Sequence, residues 1–483
     1  MLSSCQALTS SARSCPSNEP MPLSRSRSRR WNSIKTLAFL LLAAPSQAAT
    51  QPTASTPATP TTPTPTPTTD DGPALDLAPE HTKTPPPQDQ PALGIGAGSP
   101  SDAELVRGLT EQRFRSASAS ALSTSVGGYG EIHVRGTTRG REGEREWLAD
   151  IPRLVVFVAH EFNDSFRSYL ELEVEHSFAC STCPGAAELE QAYVDWKLVG
   201  DSVGLRAGLI LVPMGIINQW HEPPIFHGVV RPRVETVVIP STWREIGIGI
   251  FGQPHDLIRY ELYAMTGLDP AGFRASGVGG GRQNGAFAAA NAWALSGRVE
   301  VEPLLGVVIG ASLYASDAGA NGKFFDRRGD AVDLSLPAIG WAADARWRRS
   351  GIEWKVLFAE WRLPESRALM AAYNEAGTLA FPDTKSPVPT VMRGAYVEGA
   401  YDVLHPLGLS HQLLPFARIE HYNTQAEVPE GFEQNPTLSV REYTFGISYR
   451  PIQQIVFKAD YQLRNRRLGF DETQLNFGAG FMY

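Results

Sequence analysis

The chain has 483 residues, with 43 Lys and Arg against 51 Asp and Glu, a formal charge of −8. Length alone allows two or three soluble domains or one large barrel, but the acidic balance, near −13 once residues 1–50 are set aside, argues against nucleic acid as a partner. No stretch after residue 50 has the length and apolarity of a membrane helix, which excludes a helical membrane protein.

Arg25 to Arg30, the apolar run Ile34 to Ala44 and Ser46-Gln47-Ala48 read as the charged, hydrophobic and small-residue parts of a secretory signal peptide over residues 1–48. The alternative, a single membrane anchor, has too short an apolar run to span. Residues 1–20 look like an over-long start with Met21 the more natural initiator, which would leave Cys5 and Cys15 outside the mature protein. Residues 49–100 are dominated by Pro, Thr and Ala (TPATPTTPTPTPTT), too poor in large apolar groups to fold, and read as a disordered linker. Within 101–125, Ser101 to Ala119 opens on Ser-Asp and predicts one short helix.

From Val126 to Tyr483 the reading is all-β, an antiparallel transmembrane β-barrel. Ile132 and Val134 alternate with Glu131, His133 and Arg135, and the run Ile151 to Phe162 turns through Asn163-Asp164 into Tyr169 to His176. There Leu170, Leu172 and Val174 interleave with Glu171, Glu173 and Glu175, and three carboxylates two apart are tolerated only where they point into water. Further strands centre on Tyr193, Leu205, Ile248, Leu262, Val299, Ile309, Ala345, Val356, Val397, Ala417 and Ile447. In the final hairpin Ile455, Phe457, Ala459 and Tyr461 oppose Lys458, Asp460, Gln462 and Arg464, and Leu475, Phe477, Ala479, Phe481 and Tyr483 mark the last strand. The total is about sixteen, an even number, with the last strand closing against the first.

The connections alternate in length. Phe162–Ser165, Val199–Asp201, Gly252–His255, Glu302–Leu304, Arg348–Gly351 and Arg450–Gln453 read as tight turns, and Leu404–His411 as a longer one. Cys180–Gly185, Pro213–Thr242, Gly267–Ala290, Ser316–Leu334, Leu363–Pro389 and Asn423–Leu438 read as long loops. That rhythm fits a meander with short periplasmic turns, whereas a soluble sandwich with Greek-key crossovers would not produce it. One strand departs: Ile352, Trp354, Val356 and Phe358 are followed at the same parity by Glu360, so either a bulge resets the phase or the strand has left the lipid.

A passive channel needs no nucleophile; the radius and charge of its narrowest point decide what passes. The loop Pro213 to Thr242 has the length to fold inward and carries Trp220, His221, His227, Arg231 and Arg233. Arg231 and Arg233 are the first candidates for an anion filter, since guanidinium groups hold phosphate-like oxygens through paired donors. Arg418 and Lys458 are placed on the lumen wall beside them. The alternative is that Arg231 and Arg233 flank Pro232 on an exposed loop and only solvate it, and Glu171, Glu173, Glu175, Glu398 and Glu420 would repel anions unless paired or displaced from the constriction. Cys180 and Cys183 suggest a local disulfide in an oxidising compartment; a zinc half-site lacks a second ligand pair, though His176 is near. No serine with a nearby His and acid stands out, so no enzyme, cofactor or metal is expected.

Leu189 to Lys197 (LEQAYVDWK), Gly208 to Gly215 (GLILVPMG), Arg244 to Gly252 (REIGIGIFG), Gly297 to Pro303 (GRVEVEP), Phe416 to Tyr422 (FARIEHY) and Gly446 to Tyr461 (GISYRPIQQIVFKADY) resemble phosphate-selective porins of the O/P type. The resemblance implies a sixteen-stranded, trimeric outer-membrane channel whose best-studied members pass phosphate or polyphosphate. It also implies delivery by the barrel-assembly machinery through a C-terminal aromatic, here Tyr483 where Phe is usual. The expected protein is therefore a porin for small hydrophilic solutes or ions, set among the lipids of a Gram-negative outer membrane. The alternative, a non-conducting barrel acting as adhesin or envelope tether, is motivated by the Pro/Thr spacer and the long loops.

Overall fold

The computed structural model describes residues 123–483 apart from 141–142, 144, 180–181, 326–329, 377–385 and 470. The expected signal peptide, linker and short helix, and Cys180, lie outside the described residues. Sixteen of the described strands close into one antiparallel barrel. They begin with β1 (Ser123–Arg139), β2 (Arg145–Glu161), β3 (Phe166–Glu175), β4 (Ala187–Val199), β5 (Val203–Leu211), β6 (Arg244–His255), β7 (Ile258–Thr266), β8 (Trp293–Leu304) and β9 (Val307–Asp317). A two-stranded ribbon of β10 (Phe324–Phe325) and β11 (Ala331–Val332) sits in the next loop. The wall is completed by β12 (Pro337–Arg349), β13 (Ile352–Arg362), β14 (Val391–Tyr401), β15 (Gln412–Glu427), β16 (Ser439–Ile452), β17 (Ile455–Arg466) and β18 (Glu472–Met482).

Every wall strand pairs with its neighbours in the chain, and β18 zips onto β1 from Met482 opposite Tyr129 to Glu472 opposite Arg139. Closure leaves no strand edge, so the wall's backbone donors and acceptors meet partners without water. The alternation read from sequence is the in-and-out alternation of the wall. On β15 Ile419 is 56% exposed, while Arg418 and Glu420 on either side are 0% exposed. On β12 exposed and buried residues alternate without a break. Ile132, Leu172, Ile248, Ile309, Val356, Ile447 and Phe477 continue the exposed apolar belt around the barrel. Such a belt is stable facing hydrocarbon, and among the described residues no helix is long and apolar enough to cross a membrane.

Short turns gather at one end and long loops at the other. Two turns lie later than expected: the β6–β7 ladder continues to His255 opposite Ile258, and the β8–β9 ladder to Leu304 opposite Val307. Glu360 keeps register with both Trp341 and Arg393, so no bulge resets the phase. It lies on the outward parity of the wall at the long-loop end but is covered there, 2.8 Å from Arg362 and 4.0 Å from Arg393. The 363–390 connection holds an unexpected helix, α1 (Ser366–Ala376), with Leu369, Met370 and Ala372 buried. Inside the long-loop end, loop residues and inward wall residues build an apolar core around Trp243, Tyr314 and Trp361, whose rings lie 4.8 to 5.8 Å apart. The interior is thus apolar at that end and charged further along.

Candidate functional site

The connection from β5 to β6, residues 212–243, folds into the lumen; most of its residues are buried and none is exposed. Gly215 starts the inward turn with φ of 73°, a conformation costly for other residues. A Cβ there would also meet the Glu235 carboxylate and the Ile239 side chain. The turn aims the N–H groups of Ile216 and Ile217 at Glu235 Oε2, at 2.7 and 2.6 Å, while Tyr396 of β14 donates its hydroxyl to Glu235 Oε1 at 2.6 Å. Burial raises the Glu235 pKa against the pull of these three donors. At the loop's base Asn218 donates to Val212 O and Trp243 O and accepts from Trp243 N.

The wall grips the loop from several strands. Lys355 of β13 donates to Ile225 O at 2.9 Å, and Lys458 of β17 to Gly228 O at 2.8 Å with its ammonium 3.6 Å above the Phe226 ring. Val229 N donates to Asp460 at 2.5 Å and Val234 N to Glu420 at 3.1 Å. His227 Nε2 stands 3.1 Å from Glu353 on β13, and its ring stacks on Phe416. Burial lowers the pKa of His227 despite that carboxylate. Burial, and then the guanidinium of Arg231, lower His221 to about 3.

The candidates read from sequence are therefore distributed between loop and wall. Arg231 is buried, donating to Ser241 Oγ at 2.7 Å and to His221 O at 3.3 Å, and burial lowers its pKa to about 10. Arg233 remains half-buried at the start of a one-turn π-helix over Val234–Val238. Arg418 lies between Glu420 at 2.7 Å and Glu398 at 3.0 Å, so these opposite charges meet each other. Glu171 accepts from Gln191 and Tyr169, and Glu173 stands 3.8 Å from Arg153. Cys183 is disulfide-bonded, and His176 pairs with Asp150 at 2.8 Å. Glu235, Asp460, Glu353 and Tyr396 were not singled out from sequence, although the lone acid in the apolar run Val234 to Pro240 was the available signal for Glu235.

Opposite the gripped side, a small gap remains between the loop and β7–β8, lined by Gln219, Trp220, Arg259, Tyr260, Glu261, Arg298 and Glu300. Its charges are tied together: Gln219 donates to Glu261 at 2.7 Å, Arg298 to Glu300 and Asp344, and Arg259 stands 3.4 Å from Glu300.

A closed sixteen-stranded barrel with an apolar outer belt, a charged inner wall and a loop laid across its lumen is a transmembrane barrel of the Gram-negative outer membrane. The chain belongs to the same family as an uncharacterized protein of Aquifex aeolicus (strain VF5), 33% identical over 341 residues that cover 70% of this chain and 74% of that one. No family model matches. Among solved structures it is similar to an anion-selective porin from Comamonas acidovorans, at 10% identity and a TM-score of 0.47 over 75% of this chain and 100% of that chain. It is also similar to the outer membrane channel DcaP of Acinetobacter baumannii, at 10% identity and 0.47 over 76% and 99%. OmpF of Salmonella typhi gives 12% and 0.46 over 75% and 97%.

Proposed function

We propose that the protein is a passive diffusion channel for small hydrophilic solutes and ions, with the 212–243 loop as its constriction. The observation that carries this reading is the loop itself, laid across the lumen and held by the wall at Lys355 and Lys458. The paired lumen charges are read as structural groups that set the loop's position, and no catalytic role is assigned to them. Purified protein in planar bilayers should give stepwise conductance; silence at all voltages would defeat the channel.

The finer reading is a preference for phosphate-like anions, supported by the resemblance to O/P-type porins. The preference is assigned to Arg233, the loop guanidinium that stays half-buried beside Tyr422, whereas Arg231 and Arg418 are buried. Arg233→Ala should lower the anion-to-cation permeability ratio measured from the zero-current potential in a salt gradient. An unchanged potential removes the assignment. The same resemblance implies a homotrimer, for which cross-linking in detergent should trap three copies.

A further inference from the structure

Where the loop meets β3 and β4, polar groups crowd together in an arrangement that loop docking does not require. One carboxylate oxygen each of Glu171 and Glu190 and one ring nitrogen of His221 lie within 4.8 Å of one another, all three residues buried. Glu190 is 0% exposed, and neither of its carboxylate oxygens has a hydrogen-bond partner. His221 Nδ1 lies 3.1 Å from the Asn218 carbonyl, which only accepts, so Nδ1 carries the proton and the neutral ring turns the Nε2 lone pair toward Glu190 Oε1 at 3.2 Å. With the ring neutral, two acceptors face each other across that distance, an arrangement relieved by a proton on one of them or by a metal ion between them.

The geometry points to a divalent transition-metal site made by Glu171, Glu190 and His221, which fastens the inward loop to the barrel wall. The wall is built for it. Glu171 pairs with Gln191 and Leu172 with Leu189, so Glu190 is the extra residue of a β-bulge, and both Glu190 and Gln191 are buried as a result. Gln191 and Tyr169 donate to Glu171 Oε2, at 2.5 and 3.2 Å, and Asn218 holds the far nitrogen of His221, the outer-shell arrangement that orients metal ligands. Tyr129 lies edge-on to His221 at 5.9 Å, its hydroxyl without a hydrogen-bond partner.

Charge agrees with the geometry. Among the described residues the carboxylates of Glu131, Glu171, Glu173, Glu175 and Glu190 outnumber the guanidiniums of Arg153 and Arg231 beside them, while Lys458 reaches Glu131 and the neighbouring Arg244 is occupied by Glu188. One imidazole with two carboxylates suits zinc, manganese or ferrous iron better than calcium or magnesium, which take oxygen ligands. Bonds of about 2.0–2.2 Å place neighbouring ligand atoms roughly 3–3.5 Å apart, so closing the triad needs side-chain rotation of about an ångström.

The site stands on these contacts whether or not the barrel conducts, and binding is measured directly. The full barrel, folded in detergent and stripped with a chelator, should bind one zinc ion per chain by calorimetry and elemental analysis. Glu190→Gln and His221→Ala should each weaken zinc at least tenfold, with folding checked by heat-modifiable mobility on gels. Glu171→Gln replaces His221→Ala as the second variant if the latter does not fold. Zinc should also slow protease cleavage within 212–243 in the wild type and leave Glu190→Gln unaffected. A wild-type barrel that binds neither zinc nor manganese, or a Glu190→Gln barrel that binds as tightly as wild type, overturns the site. Bound zinc with silent bilayers would defeat the channel and keep the site; conductance without metal binding would do the reverse.

Discussion

Glu235 fastens the inward loop through a single buried side chain. A carboxylate without water is costly unless its oxygens are fully used, and here two loop N–H groups and the Tyr396 hydroxyl use them. Glu235→Gln keeps the shape but removes the charge that strengthens the two loop N–H bonds and makes the Tyr396 hydroxyl turn from donor to acceptor, so loop docking should weaken by about 1–3 kcal/mol, while Tyr396→Phe should cost about 1 kcal/mol. Protease sensitivity within 212–243 and single-channel conductance should both rise, more in the first variant than in the second. His227 adds a pH dependence. Its ring is held below the ordinary 6.5 by burial, so the released loop binds the proton more tightly than the docked loop. Docking is at full strength above about pH 6.5 and weakens as the pH falls from there through the lowered value. Wild type should therefore become more cleavable as the pH falls from 8 to 5. His221, lowered further in the same loop, adds to that slope, so His227→Gln should make the profile shallower; an unchanged slope in that variant would show that His227 does not contribute.

The strands were legible because a wall between lipid and a polar lumen enforces a period of two, which β3, β12 and β18 display almost without exception. The belt has an energetic test. Ile419→Arg, near the middle of β15, should cost about 2–4 kcal/mol in folding into vesicles followed by denaturant titration. A cost near zero would place Ile419 away from the lipid. What the period cannot mark is where a ladder stops, so the β6 and β8 turns were expected too early, at Gly252 and Glu302, although pairing continues to His255 and Leu304. The helix α1 was missed for a different reason: Ala368, Leu369, Met370, Ala371 and Ala372 are strong helix formers, but they lie inside a stretch read as loop from its length. The inward loop was legible as a length and its partners were not. Val229 meets Asp460 and Gly228 meets Lys458 across the whole barrel circumference in sequence, a pairing that only the closed register creates. For the same reason Arg418 read as a lumen-wall cation without a named partner, whereas the register places Glu398 opposite it and Glu420 two residues on.

At the scale of the whole molecule, the wall and the loop are separable. Closure of β1 on β18 pairs the backbone of every wall strand, so the cylinder does not depend on what lies across its lumen. The loop begins and ends on one ladder: Leu211 is opposite Arg244, and Val212 N donates to Trp243 O at 2.8 Å. A two-residue Asn-Gly turn in place of residues 213–242 would therefore join β5 to β6 as a tight hairpin, in the manner of the short turns at the other end of the barrel. The deletion removes the groups that cover Lys355, Lys458, Asp460 and Glu420, which water solvates at little cost, and it bares inward apolar residues such as Leu357 and Trp361, which lowers stability but leaves the closed ladder intact. The shortened protein should still fold into vesicles and keep heat-modifiable mobility on gels, while its single-channel conductance rises several-fold and its charge selectivity comes to reflect the bared wall. If it folds and conducts no better than the wild type, the narrowest point lies elsewhere and the assignment of the loop as constriction fails. If it folds only with the loop restored in trans as a peptide, wall and loop are one cooperative unit and the separation drawn from the β5–β6 register is wrong.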